Sequence, residues 1–178
     1  MKKLKEKEIS SKTVFKGKFL TVKQDSVLLP NGEIGTREWI KHPGAACCVP
    51  ILPNGDIVLI KQYRYSLKRE MIELPAGKRN KNESFEECAR RELEEEIGYK
   101  TNKLTFLTEI HPAIGFTNEK INLYLAEGLV KTKMNLDKDE FLELKPTKLH
   151  DAIEMVWDGT ITDVKTIIGL TWVQKRFG

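Results

Sequence analysis

The chain has 178 residues, a 40% hydrophobic share and a net charge of +4. That is one domain, or one domain with a small appendage, with enough apolar residues for a buried core. Its apolar runs fall short of the roughly 18–20 residues that span a bilayer, and the opening "MKKLKEKEIS" is too charged for a secretory signal.

A cytoplasmic location is therefore expected, with no membrane partner. Basic residues cluster only in the first few lysines, which read as a solvated tail, and no nucleic-acid partner is expected. Next, "GKFLTVKQDSVLLPNGEIGTREWIKH" alternates apolar and polar residues around "PNGE", the pattern of an antiparallel hairpin or small sheet. "GAACCVPIL" and "DIVLIKQYRY" read as two apolar strands joined as a hairpin by "PNGD". "MIELPAGK" is a short strand, and a helix is predicted from about Ser84 to Ile97, closed by Gly98. "KLTFLTEIHP" and "EKINLYLAEGLV" are further strands, and "KMNLDKDEF" is an acidic loop. "LHDAIEMVWDG" and "TDVKTIIGLTWVQKRF" are helices, the second with an apolar stripe of Val164, Ile167, Ile168, Trp172 and Val173. Strands first, one helix in the middle and helices at the end make an α/β chain: a mixed sheet with helices on its faces. Cys47, Cys48 and Cys88 lack CxxC spacing and read as buried thiols. His42, His111 and His150 are too scattered for a zinc site.

The middle helix carries four glutamates in "RRELEEEIG". On a wheel of about 100° per residue, Phe85, Cys88, Ala89, Leu93 and Ile97 form its apolar stripe. Glu92 and Glu96 fall inside that stripe, Glu95 lies at its edge and Glu94 faces away. Carboxylates turned toward a protein body are costly without a partner or a metal. One reading is that they snorkel or pair with Arg90 and Arg91. The other is a cage of hard oxygen ligands for Mg²⁺ or Mn²⁺. Upstream, Gly77 permits close backbone approach, the carbonyl of Ala76 is a further oxygen donor, and Glu83 sits at the helix's positive end.

These residues resemble a known family. Gly77, five residues, Glu83, seven residues, then Arg91-Glu92-Leu93-x-Glu95-Glu96-x-Gly98 is similar to the Nudix box, G-x5-E-x7-R-E-U-x-E-E-x-G-U, with Tyr99 at its final aliphatic position. "LLPNG", "HPGAA", "KQYRY", "IELPAGK", "EECARREL" and "GFTNE" extend the likeness to the ADP-ribose pyrophosphatase branch over most of the chain. The resemblance implies a Nudix α/β/α sandwich over residues 43–178 and a small N-terminal antiparallel sheet over 1–42 that mediates homodimerisation. It implies metal-dependent hydrolysis of the diphosphate of ADP-ribose or a related nucleoside diphosphate sugar, giving a nucleoside monophosphate and a sugar phosphate. Ile114 stands where the branch has a marker proline, so GDP-mannose and UDP- or ADP-glucose stay open as substrates. The rivals are hydrolysis of dinucleoside polyphosphates or other nucleotides, and a non-catalytic nucleotide-sugar sensor.

Carried over residue by residue, the resemblance makes Glu92, Glu95 and Glu96 metal ligands, with the Ala76 carbonyl assisting and Mg²⁺ or Mn²⁺ as cofactor. Arg91 holds the acids of the loop-helix unit. Glu140 is the expected base, with Asp137 and Asp139 as alternatives from the same loop. Arg64 is an expected phosphate clamp, since a guanidinium grips phosphate oxygens as a fork. Arg37, Glu38, Gly115, Phe116 and Glu119 are expected substrate contacts, and Trp39 and Phe116 are aromatic faces on which a base could stack.

Overall fold

The computed structural model describes residues 4–177 and divides into two compact units. The first runs through Pro43 and includes Ala113–Glu119; the second comprises Gly44–Pro112 and Lys120 onward.

The first unit is a three-stranded antiparallel sheet. β1 (Lys7–Lys16) pairs with β2 (Thr21–Leu28), which pairs with β3 (Ile34–Lys41). The expected β2–β3 hairpin is present, closed by Leu29 N–H donating to the Glu33 carbonyl at 2.8 Å, with Gly32 at φ 88°. β1 was not legible. Its register slips between Glu8 and Ser10 and again between Thr13 and Phe15, so its apolar residues lose the period of two that marks a strand. Of the predicted solvated tail, Met1–Lys3 lie outside the described residues; Leu4 and Lys5 are exposed.

The second unit layers helices on both faces of its sheets. One sheet runs β7 (Ala76–Lys78), β4 (Ala45–Pro50), β10 (Ile121–Glu127), β9 (Lys103–Ile110), with β4 and β10 parallel. The other runs β12 (Leu142–Lys148), β5 (Asp56–Arg64), β6 (Arg69–Glu73), and β8 (Tyr99–Lys100) pairs with β11 (Val130–Lys131). Strand β4 is buried throughout because its alternate side chains enter two cores. Ala45, Cys47 and Val49 join the core beneath α2 (Leu149–Trp157) and α3 (Val164–Phe177). Ala46 and Cys48 join the core beneath α1 (Phe85–Ile97), where Cys88, Ala89, Leu93 and Ile97 pack. All three cysteines are free and buried. Among the described residues no helix is long and apolar enough to cross a membrane.

Three expectations need correction, and one strand is not legible in the sequence. The "PNGD" turn exists, with Leu52 N–H bonded to the Asp56 carbonyl, but the pairing across it among the described residues is the single bridge of Ile51 with Ile57, and β4 and β5 enter different sheets. "MIELPAGK" is not one strand. It breaks at Leu74-Pro75 into β6, paired with β5, and β7, paired with β4; proline has no N–H for a ladder. β12 went unpredicted because Pro146 interrupts it, which a strand at a sheet edge tolerates. On α3 the buried face is Lys165, Thr166, Gly169, Leu170 and Val173, while Val164 and Trp172 are exposed. Ile167, Ile168 and Val173 of the predicted stripe do pack on the core, and Gly169 extends the buried face by sitting against Leu74 and Val49, where a Cβ would come within 2.6 Å of Leu74.

Candidate active site on α1

Helix α1 begins with a capping box. The Ser84 hydroxyl accepts from Glu87 N–H at 3.2 Å, and the Glu87 carboxylate accepts from Ser84 N–H at 2.7 Å. It ends at Gly98 in the left-handed region, φ 69°. Between these stops the apolar residues fix the rotation of the helix, and with it the direction of the glutamates.

Glu92 and Glu96 are buried, 9% and 5% exposed. Glu96 accepts from Ala76 N–H at 2.8 Å. Burial, reinforced by the charge of Glu92, pushes the Glu96 carboxyl up to about 8. Burial also raises Glu92, against the pull of Arg91. Glu92 lies directly over Gly77: a Cβ there would fall 1.9 Å from its Oε1. Only glycine leaves room for that carboxylate.

Arg91 gathers the other acids. Its Nε and Nη2 donate to the two Glu83 oxygens at 2.7 and 3.0 Å. Its Nη1 donates to Glu92 at 2.6 Å and Glu95 at 2.8 Å, and Nη2 reaches the Lys78 carbonyl at 3.1 Å. Glu83, held first by Arg91, is lowered below the usual carboxylate range. Glu94 instead pairs with Lys100 at 2.9 Å.

The loop after β11 is fastened to the end of α1. Thr132 N–H donates to the Gly98 carbonyl and Asn135 N–H to the Glu95 carbonyl. Glu140 closes a turn in this loop, its N–H bonded to the Asp137 carbonyl at 3.0 Å and its carboxylate accepting from Asp137 N–H at 3.2 Å. Its charge adds to the upward push on Glu92 and Glu96. Arg64 sits at the end of β5 with its Nε and Nη2 each 2.6 Å from a Glu73 oxygen.

The remaining predicted residues belong to the N-terminal unit. Arg37 pairs with Glu6, and Glu38 accepts from Gln24 at 2.8 Å. The Trp39 indole N–H donates to Asp25 at 2.6 Å. Gly115 and Phe116 are exposed, with the Phe116 carbonyl accepting from Ile40 N–H at 2.8 Å. Glu119 lies 3.7 Å from His42.

A buried ionic set went unpredicted: Glu73, Lys165 and Asp163. Its signal was a charged residue among apolar ones. Lys165, Gly169 and Val173 repeat every fourth residue on α3, as Glu92 and Glu96 do on α1.

The donors suit a hard divalent cation: carboxylate oxygens, two of them desolvated, with space that only Gly77 provides. Among the described residues, no three acidic, histidine or cysteine side chains are already drawn to metal-ligand spacing, and Arg91 engages both Glu92 and Glu95.

The NUDIX domain family matches residues 41–167, and the nucleoside diphosphate sugar hydrolase N-terminal domain family matches residues 6–40. The chain belongs to the Nudix family. An ADP-ribose pyrophosphatase of Bacillus subtilis (strain 168) is 40% identical over 99% of this chain and 96% of its own length. A methanol dehydrogenase activator of Bacillus methanolicus is 38% identical over 98% and 96%. A crystal structure of an ADP compounds hydrolase superposes with a TM-score of 0.86 at 25% identity, covering 97% of this chain and 94% of that one. The protein is thus a Nudix pyrophosphohydrolase of mixed α/β architecture, within the branch that hydrolyses nucleoside diphosphate sugars.

Proposed function

We propose that this Nudix enzyme hydrolyses ADP-ribose, or a closely related nucleoside diphosphate sugar, with Mg²⁺ or Mn²⁺ as cofactor. The products from ADP-ribose are AMP and ribose 5-phosphate. The observation that carries the reading is the pair of buried carboxylates, Glu92 and Glu96, seated over Gly77. End-to-end likeness to an ADP-ribose pyrophosphatase supports the substrate.

In this reading Glu92, Glu95 and Glu96 hold the divalent ion, assisted by the Ala76 carbonyl. When bound, the ion neutralises the diphosphate and makes a water easier to deprotonate. Arg91 keeps the carboxylates from splaying. Glu140, exposed on its loop, takes the proton of the attacking water. Arg64 grips the diphosphate. Arg37, Glu38, Gly115, Phe116 and Glu119 contact the nucleoside or the sugar.

The N-terminal region serves as the dimerisation element. Ile9, Val14, Phe15 and Phe19 are exposed there, more apolar surface than a solvated sheet needs. The enzyme works as a cytoplasmic homodimer.

The test is release of nucleoside monophosphate from ADP-ribose, ADP-glucose, GDP-mannose and NADH by the purified protein with Mg²⁺ or Mn²⁺. Cleavage of at least one nucleoside diphosphate sugar, abolished by chelator, is expected. Intact substrates throughout would sink the reading. They would turn the reading to its alternative, hydrolysis of dinucleoside polyphosphates or other nucleotides by the same Nudix box.

A further inference from the structure

A lysine 7% exposed on a helix needs an account, because an apolar residue of similar volume at a buried ionic position is often as stable. The Lys165 ammonium lies 2.5 Å from Glu73 Oε2 and 2.8 Å from Asp163 Oδ2. Asp163 also accepts from the Thr166 hydroxyl at 2.6 Å and from Thr166 N–H at 3.1 Å. The same hydroxyl oxygen accepts from Leu74 N–H at 2.8 Å. The start of α3 is thereby fastened to Glu73, the last residue of β6, and to Leu74 just after it.

Glu73 has no freedom left. Both of its oxygens receive Arg64, at 2.6 Å each, and Oε2 also receives Lys165. Arg64 therefore has its guanidinium plane fixed by a carboxylate that is itself fixed from behind. Its Nη1 donates to no other group among the described residues, and the side chain is 41% exposed. One edge is spoken for and the other is open.

We propose that Lys165 is a positioning residue: acting through Glu73, it aims the open edge of the Arg64 guanidinium at the substrate diphosphate. The inference rests on the reading of Arg64 as the phosphate clamp. It adds that the clamp is set from α3, an element carrying no residue of the Nudix box.

Two readouts test it. The first is the NMR signal of the Arg64 Nε–H, assigned by its disappearance in Arg64→Lys. The second is the kinetics with ADP-ribose and Mg²⁺. In Lys165→Met the signal broadens, and KM rises by about 10- to 100-fold while kcat changes by less than about 3-fold, as expected for a misplaced group that binds ground and transition states alike. Lys165→Arg restores both readouts substantially, and Lys175→Met, exposed on the same helix, moves neither. A folded Lys165→Met protein with an unchanged Arg64 signal and unchanged KM overturns the proposal. A broadened signal in a protein whose wild type cleaves no nucleotide sugar upholds the link from Lys165 to Arg64 and defeats the proposed function instead. Should Lys165→Met not fold, Asp163→Asn is read against the same criteria.

Discussion

Two places in the second unit bury carboxylates, with opposite consequences. Glu73 is 3% exposed, yet its carboxyl is lowered: burial pushes it up, and Arg64 with Lys165 more than offsets that push. Glu96 is 5% exposed and is raised to about 8, because burial and Glu92 outweigh one backbone N–H. The chain supplies cations for the first acid and leaves the second short of them. A buried acid held by the protein's own cations belongs to the framework. A buried acid without them is prepared for a cation from outside.

Substitutions can break this contrast. Glu96→Gln keeps the hydrogen bond from Ala76 N–H, and turnover of ADP-ribose should fall by more than about 100-fold, beyond the loss usual for groups that merely support a metal ligand. The same variant should be more stable than wild type in chelator. The folded Glu96 carboxyl keeps its proton up to about pH 8, whereas the unfolded one loses it near 4.5, so metal-free wild type loses stability as pH rises across that window. Thermal melts at pH 5 and pH 8 check this, and a Glu96→Gln protein that loses stability as steeply as wild type would show that Glu96 is not the source.

Glu73→Gln should show the reverse, a loss of stability on the order of 3 kcal/mol, since it removes the carboxylate that Arg64 and the buried Lys165 share and leaves Lys165 with Asp163 alone. Chemical denaturation measures it; an unchanged midpoint would remove Glu73 from the framework. Gly77→Ala should cost about 1–3 kcal/mol and displace Glu92, as overfilling a packed site does. Metal titration of that variant should show weaker Mg²⁺ binding. Glu94→Gln, which loses only a partly exposed pair with Lys100, should stay within about 0.5 kcal/mol of wild type and keep its kcat/KM. If Glu94→Gln and Glu96→Gln cost the same, the four glutamates of α1 are equivalent and the metal-site reading fails.

The α1 site was legible because local signals agreed. A helical period fixed which face was apolar, Ser84 and Gly98 fixed its ends, and Glu92 and Glu96 stood out as charges on that face. Lys165 is the same kind of signal, but it is masked because Val164 and Trp172 extend the helical period of Ile167, Ile168 and Val173 onto an exposed side. The buried side also includes Gly169 against Leu74, a contact between residues distant in the chain that no periodicity reports. The separation of β4 from β5 was hidden for the same reason. A good turn sequence specifies how the chain reverses, and the sheet each strand joins is decided by partners far along it. The pairing of Arg64 with Glu73 is likewise tertiary, as is the closeness of the Glu140 loop to α1.

Gly77 and Glu92 interlock so tightly that neither can be inherited alone. The space a side chain would take at residue 77 is already filled by the carboxylate of residue 92. Selection for regained stability from Gly77→Ala should therefore return shortened side chains at position 92, which withdraw whatever that position holds from the space over residue 77.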